Sequence, residues 1–390
     1  MTPAGALPPD ATPDDRVLPT AHVDARAPDA IERLARALGP GPFALVILFV
    51  SPLADIAALA PRTTRAFRGA PVMGCTTAGE ISPAGYAEGE IVAVGLPARH
   101  FAVDLLPVPD LQRLAPQALI AALGRSRQRL MRMRPEWGHE FAFLLVDGLS
   151  TREDALTSAL AAGLGPVPLF GGSAGDGIRF AETFVLHDGA ALQNAAVLAF
   201  VRTECPVRVF NLDHLRPTDT RMVVTEADPA QRIVRRINAE PAAQEYARIL
   251  GKDPGQLTTF TFAAHPVVVR VGGKHHVRAI QQMAPNGDLV FFSAIDEGLV
   301  LTLAEPVDMV AHLSAELGRL HRPAPPEAIL ACDCILRRME AEEKQMTGAI
   351  SALLRRHGVV GFSTYGEQLN GMHVNPTMTG VAIYRPGHGP

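Results

Sequence analysis

The chain is expected to be an α/β protein, built as two related α/β domains with mixed sheets. Three observations carry that expectation. Apolar runs such as Phe43–Val50 and Phe141–Val146 have the character of strands buried on both faces. Segments with helical spacing alternate with them. One pattern of punctuation also recurs three times, as Gly74-Cys75-Thr76-Thr77-Ala78-Gly79-Glu80, Gly171-Gly172-Ser173-Ala174-Gly175-Asp176 and Gly361-Phe362-Ser363-Thr364-Tyr365-Gly366-Glu367. Each copy leaves a strand, turns on glycine, carries small or hydroxyl residues and ends on an acid. Glycines permit sharp turns and leave amides open beside small polar side chains, so the pattern predicts the floor of a pocket.

The elements follow in order. Asp29–Leu38 has helical spacing and stops at Gly39-Pro40-Gly41. The strand Phe43–Val50 leads to a helical stretch at Ala54–Ala60, a short strand into the first glycine motif, and strands at Ile91–Leu96 and Ala102–Val108. Leu114–Met133 is amphipathic. After Phe141–Val146 comes a helix over Glu153–Gly163, with Ser150 or Thr151 as its expected cap. Val167–Phe170 enters the second motif, and short strands continue from Thr183 to Phe210. A boundary is expected within Asn211–Thr220. Beyond it lie a hairpin (Arg221–Glu226 with Gln231–Arg235), a helix (Ala242–Leu250), and strands at Val267–Val271 and His276–Gln281 joined by Gly272-Gly273-Lys274. A strand at Leu289–Ser293, a helix at Val307–Leu317, a strand at Ala328–Cys332 and a helix over Leu336–Arg356 complete the run into Val359 and the third motif.

At 390 residues the chain exceeds one comfortable hydrophobic core. The expected division is a tail over 1–28, rich in proline and acid near its start, then domains over 29–220 and 221–390. With 47% hydrophobic and 19% charged residues the composition is globular. A net charge of −4 and 5% aromatic residues give no basic face or stacking platform for nucleic acid. No signal peptide or apolar run of spanning length is present in the sequence, so a cytoplasmic location is expected. The four cysteines are too irregular for a disulfide framework, and Cys332-Asp333-Cys334 lacks a second pair to complete a zinc site. Gly148-Leu149-Ser150 is not a nucleophile elbow, because Arg152 stands where the second glycine belongs. No phosphate-binding loop or zinc-protease motif occurs.

The three motifs, in this order, resemble the glycine signatures of FIST proteins (F-box and intracellular signal transduction), two in the N-terminal domain and one in the C-terminal domain. Gly273-x-x-His276-Val277-Arg278 and Glu297-Gly298 are similar to further C-terminal landmarks. The likeness spans about residues 40 to 385. It implies a sensory module for a small ligand, amino acids being the general suggestion. The stretch from Gly366 to Ala382 resembles more closely a subgroup that binds haem, senses nitric oxide and regulates a partner histidine kinase or cyclic-di-GMP enzyme.

The candidate site residues follow. A haem iron needs an axial ligand facing an apolar pocket. Of 13 histidines, His187 at a strand end and His373 beyond the third motif are the candidates; each could equally serve a turn by hydrogen bonding. Arg278 could hold a carboxylate or propionate, or form a surface ion pair. Glu80, Asp176 and Glu367 could orient an amine or cap loop amides. Thr76, Ser173 and Ser363 could bind ligand or satisfy their own turns. The preferred expectation is a haem sensor. The alternatives are a non-haem module with Arg278 on a carboxylate, and an enzyme using the Asp147–Asp154 loop. In each sensory case the output would be made in trans.

Overall fold

A computed structural model describes residues 16–271 and 274–389. It shows one order of elements, strand–helix–strand–helix and then four strands, used three times. The first copy is β1 (Thr20–Asp24), α1 (Ala30–Leu38), β2 (Phe43–Val50), α2 (Ile56–Ala66), β3 (Val72–Thr76), β4 (Glu80–Ser82), β5 (Gly85–Ala87) and β6 (Glu90–Pro97). The second is β7 (Phe101–Val108), α3 (Pro116–Met133), β8 (His139–Val146), α4 (Glu153–Leu164), β9 (Leu169–Ser173), β10 (Val185–His187), β11 (Ala190–Leu192) and β12 (Ala196–Thr203).

The third copy opens with β13 (Val207–Leu212) and is then interrupted. The insert holds β14 (Leu215–Asp228), β15 (Ile233–Ile237), β16 (Glu240–Pro241), α5 (Ala242–Ile249), α6 (Thr259–Ala264), β17 (Val267–Val271), β18 (Lys274–Val277), β19 (Ile280–Met283), β20 (Leu289–Phe291) and β21 (Val300–Pro306). The copy resumes with α7 (Met309–Leu320), β22 (Ala328–Cys334), a helix split into α8 (Ile335–Glu343) and α9 (Thr347–Arg356), β23 (Val359–Thr364), β24 (Glu367–Leu369), β25 (Met372–Val374) and β26 (Met378–Ile383).

In every copy the two strands around the second helix pair in parallel: β2 with β3, β8 with β9, β22 with β23. The copy's last strand lies antiparallel beside them and its first strand beyond that, giving β1-β6-β2-β3, β7-β12-β8-β9 and β13-β26-β22-β23. Each sheet then borrows its remaining hairpin from another copy. β4 and β5 complete the third sheet, β10 and β11 the first, and β24 and β25 the second. The exchange closes in a cycle, so the three sheets have pseudo-threefold order and no copy finishes its own sheet. The two α/β domains are related through this unit, present twice before the insert and once around it.

Packing follows the same order. The inner faces of the three sheets share one core, with Phe49 and Cys75 from the first, Phe143 and Phe170 from the second, and Cys332 and Phe362 from the third. Phe49 and Phe362 stack at a centroid distance of 4.7 Å. The outer faces are covered by each copy's own helices. The insert has a separate core around Met222, Tyr246, Phe262 and Phe291.

Several sequence expectations change here. Residues 20–24, expected within the tail, form an edge strand; residues 1–15 and the Gly272-Gly273 turn lie outside the described residues. α2 continues through Pro61 to Ala66. α4 is preceded by Arg152 with no side-chain cap, while Ser150 Oγ accepts only the Arg152 amide at 3.4 Å. The helix expected over 336–356 breaks where Gln345 takes a φ of 56°. Its halves serve different neighbours, α8 lying against α6 and α9 against β5. The division after residue 220 falls inside β14, and the insert begins at Leu215.

Candidate functional site

The glycine motifs sit at the C-terminal ends of β3, β9 and β23, the edge at which α/β sheets commonly bind ligands. Backbone hydrogen bonds tie them into a ring with the residue ahead of β10: Thr76 N to Phe184 O (3.0 Å), Ser173 N to Gly366 O (2.8 Å) and Ser363 N to Gly79 O (2.7 Å). Three more run between the loops, Ala78 N to Ser363 O (2.9 Å), Gly175 N to Thr76 O (3.0 Å) and Tyr365 N to Ser173 O (3.2 Å). Thr76, Ser173 and Ser363 therefore occupy equivalent places, and the amides that glycine seemed to expose are spent on each other.

The acids behave alike in two copies and differently in the third. Glu80 accepts Thr77 Oγ1 at 2.5 Å and Glu90 N at 3.1 Å. Glu367 accepts the Thr364 hydroxyl, and Thr377 through its amide (3.1 Å) and hydroxyl (2.9 Å). Burial raises the Glu80 carboxyl to about 7 and the Glu367 carboxyl to about 8, against the opposing pull of these donors. Asp176 has another job. Its carboxylate takes the amides of Phe180 (2.9 Å), Ala181 (3.1 Å) and Glu182 (3.0 Å), and the Tyr365 hydroxyl. That caps the longer loop by which the second motif reaches β10. All three acids are thus engaged with the protein's own donors.

Asp147 is likewise committed. It accepts the Thr183 hydroxyl, Leu149 N at 3.0 Å and Asn194 N at 2.5 Å.

His187 and His373 lie in different sheets. His187 is half-buried in β10, paired with Met73 and Ala190, with Nε2 3.7 Å from Asp188. His373 is buried in β25, and its Nδ1 accepts Gln368 Nε2 at 3.2 Å. The same Gln368 nitrogen donates to Ser173 Oγ at 2.9 Å. His373 Nε2, Gln368 Oε1 and Asn375 Oδ1 are buried without partners. The His373 charge is opposed first by burial, favoured by Glu153 and Asp154, and opposed by Arg232 and Arg278. The helix α4, which opens with Glu153 and Asp154, packs against β25.

Arg232 of the insert meets Glu153 Oε2 at 2.7 Å and Asp154 Oδ2 at 3.3 Å, at the start of α4. Arg278 has no such partner among the described residues. One of its terminal nitrogens reaches the Val277 carbonyl at 3.1 Å, and its Nε is buried and unsatisfied. Ser293 Oγ is also buried and unpartnered. Phe180, Phe292 and Tyr365 wall this junction, with Phe180 4.5 Å from Tyr365 and 5.7 Å from Phe292. The candidate site is therefore the seam between the insert, α4 and the β24–β25 hairpin. It gathers Arg278, His373 and, through Gln368, Ser173 from the predicted set. It excludes Thr76, Glu80 and His187. Arg232, Gln368, Asn375 and Ser293 were not predicted, and Glu153 was read only as part of the Asp147–Asp154 loop; no local pattern links Arg232 to an acid 79 positions away.

The His373 ring packs closely on Gly366, where a Cβ would stand 2.3 Å from Cε1 and 2.7 Å from Nε2. His187 is a strand-pairing residue on another sheet. Among the described residues, no group of three or more His, Cys, Asp or Glu side chains could hold a metal ion. A hollow of about 400 Å3 exists elsewhere, at the opposite end of the first sheet, lined by Glu32, Arg36, Phe43, Phe67 and Arg68 among others.

The chain matches the FIST N domain over residues 44–240 and the FIST C domain over residues 242–370. It belongs to the FIST family. No curated protein matches it. FIST domains are signal-transduction sensory domains. The FIST N match runs from the first parallel strand into the insert, and the FIST C match ends within the third motif's hairpin, just short of His373. Among the described residues of this FIST protein, no helix is long and apolar enough to cross a membrane.

Proposed function

We propose that this FIST protein senses a small carboxylate-bearing metabolite, an amino acid being the class that suits both signs of charge in the seam. The observation that carries the reading is Arg278, a guanidinium with a buried, unsatisfied Nε and, among the described residues, no ion pair. Burial disfavours its charge, and a bound carboxylate would compensate for that. The unpartnered His373 Nε2 carries the remaining proton of a neutral ring, because Gln368 occupies Nδ1, and it supplies a second donor. Glu153 and Asp154, shared with Arg232, lie where an ammonium group would find acceptors.

The ligand would bridge the insert and the motif ring, shifting the balance between two arrangements of those bodies. A partner would read that shift. A histidine kinase or a cyclic-di-GMP enzyme acting in trans in the cytoplasm is the output that the family likeness suggests. Nitric oxide sensing through haem is not part of this reading.

A thermal-shift screen of amino acids and simple carboxylates tests it. A ligand at a hundred times its Kd should stabilise the protein by about 2.7 kcal/mol, and Arg278→Gln should abolish the shift. If nothing in the screen stabilises the chain, or Arg278→Gln responds as the parent does, the reading fails. A reconstituted Soret band that moves with nitric oxide would restore the haem expectation.

A further inference from the structure

Three buried polar side chains meet around Gly366. The β24–β25 ladder sets Gln368 directly opposite His373, and Asn375 follows one residue after β25 ends. The place where a Cβ would stand on Gly366 is 2.7 Å from His373 Nε2 and 2.5 Å from Asn375 Nδ2. Gln368 and Asn375 are 0% exposed and His373 is 3% exposed.

Backbone carbonyls decide which of their atoms are left over. Gln368 Nε2 reaches Gly366 O at 3.4 Å as well as Ser173 Oγ and His373 Nδ1, and Asn375 Nδ2 donates to Tyr365 O at 3.2 Å. A carbonyl only accepts, so each amide presents its nitrogen there and its oxygen elsewhere. Because Gln368 donates to Nδ1, the neutral His373 ring carries its proton on Nε2. What remains is two acceptors, Gln368 Oε1 and Asn375 Oδ1, and one donor, His373 Nε2–H, all without a partner among the described residues. Polar atoms left so are costly, and a ligand that pairs them all gains accordingly. A primary carboxamide complements this set, with two N–H donors, one acceptor and no charge to bury. A carboxylate would set acceptor against acceptor. An ammonium would set N–H against the His373 donor, and a hydrocarbon would pair nothing.

We propose that Gln368, Asn375 and His373 form a subsite for a primary carboxamide, so that the sensed metabolite is an amide-bearing amino acid of the glutamine or asparagine kind. The proposal rests on the sensory reading of the seam and names the ligand's side chain. Arg278 and the acids that open α4, the helix packed against β25, take the carboxylate and ammonium; the neutral groups take the far end. Gln368 acts twice, accepting from the amide and holding His373 in the tautomer that donates.

Calorimetric titration of the full chain with L-glutamine, L-asparagine, L-glutamate and L-leucine tests it, leucine having the shape of asparagine without its polar atoms. One of the two amides should bind at least about a hundredfold more tightly than glutamate and leucine, since a site built to hydrogen-bond rejects an analogue that cannot. Imidazole nitrogen NMR shifts, assigned to His373 by their loss in His373→Gln, should show the proton on Nε2. In Gln368→Glu it should move to Nδ1, facing the new carboxylate, and the affinity for the amide should fall at least about tenfold. A parent ring protonated on Nδ1 overturns the proposal. So does equal affinity for the amides and leucine, which would leave the sensory reading of the seam standing. Binding of none of the four also overturns the subsite, and the wider screen then judges the sensory reading by itself. Should Gln368→Glu not fold, the ranking of the four ligands on the parent chain decides.

Discussion

Gly361 lies against Ala331 in parallel register so closely that a Cβ on the glycine would stand 1.8 Å from the alanine carbonyl oxygen. Gly74 meets Leu48 and Gly171 meets Leu144 in the same way, each at 2.3 Å. One steric demand thus recurs at the same step of all three copies. The first glycine of each motif is there because two parallel strands must approach to seat the backbone ring. The recurrence has a packing cause at that position, whatever the loops beyond it bind.

Gly361→Ala should therefore be severe, costing more than about 4 kcal/mol, because neither strand can retreat without opening the ring. Gly124→Ala is the control. That glycine lies inside α3, and an added methyl meets nothing within 4 Å. It should gain about 1 kcal/mol from helix propensity. Chemical denaturation of the two variants checks both signs, and equal effects would refute the steric account.

Arg232→Ala strands Glu153, which is 2% exposed, as a charge without its partner. The expected cost is about 3–5 kcal/mol, and the double variant Arg232→Met, Glu153→Leu should recover most of it. Asp154, with a third of its side chain in water, can be rehydrated, so Asp154→Ala should cost under about 1 kcal/mol. Unfolding followed by a probe on the insert reads the difference. A double variant as unstable as Arg232→Ala would show that the pair does not hold the seam.

How much of this was legible beforehand depended on sequence distance. Alternation, buried strands and the three motifs all show in runs of a few residues, and α/β architecture follows from them. The cyclic exchange of hairpins does not, because β4 and β24 are short strands whose partners lie hundreds of residues away. Arg278 could be singled out because it stands beside Gly273 and His276 in a readable motif. Arg232 could not, since its role is defined only by Glu153 arriving from another sheet. The place of His187 was hidden for a related reason: a strand-end histidine near a glycine loop is indistinguishable in sequence from one paired within a ladder.

The equivalent hydroxyls make a sharper test of the ring. Ser173 Oγ is held by Gln368, whereas Ser363 Oγ is buried with no partner, Ile81 standing where Gln368 stands in the second sheet. Ser173→Ala should cost about 1–3 kcal/mol, since Gln368 is left short of an acceptor. Ser363→Ala should be neutral or slightly stabilising, for the same methyl-sized change removes an unsatisfied group. Stabilities in the reverse order would mean that the two positions are not related as the exchange of hairpins requires.

Glu367 and Glu80 give stability a pH dependence whose direction is fixed by burial. Desolvation dominates at both, raising each carboxyl from 4.5, to about 8 at Glu367 and about 7 at Glu80. The folded state then holds protons that the unfolded chain has already released. Their contribution is complete below about pH 4.5 and is lost as pH rises through about 7 and then about 8. The Thr364 and Thr377 hydroxyls can accept as well as donate, so a protonated Glu367 keeps its partners; only the Thr377 amide insists on an acceptor. Glu367→Gln retains that acceptor without a charge to bury. It should flatten the decline on the alkaline side, while Glu80→Gln should flatten the earlier part. Urea midpoints measured from about pH 5 to 9 separate the two, the slope reporting protons held by the fold. A Glu367→Gln profile parallel to the parent's would mean that the three donors outweigh burial and keep this carboxylate ionised.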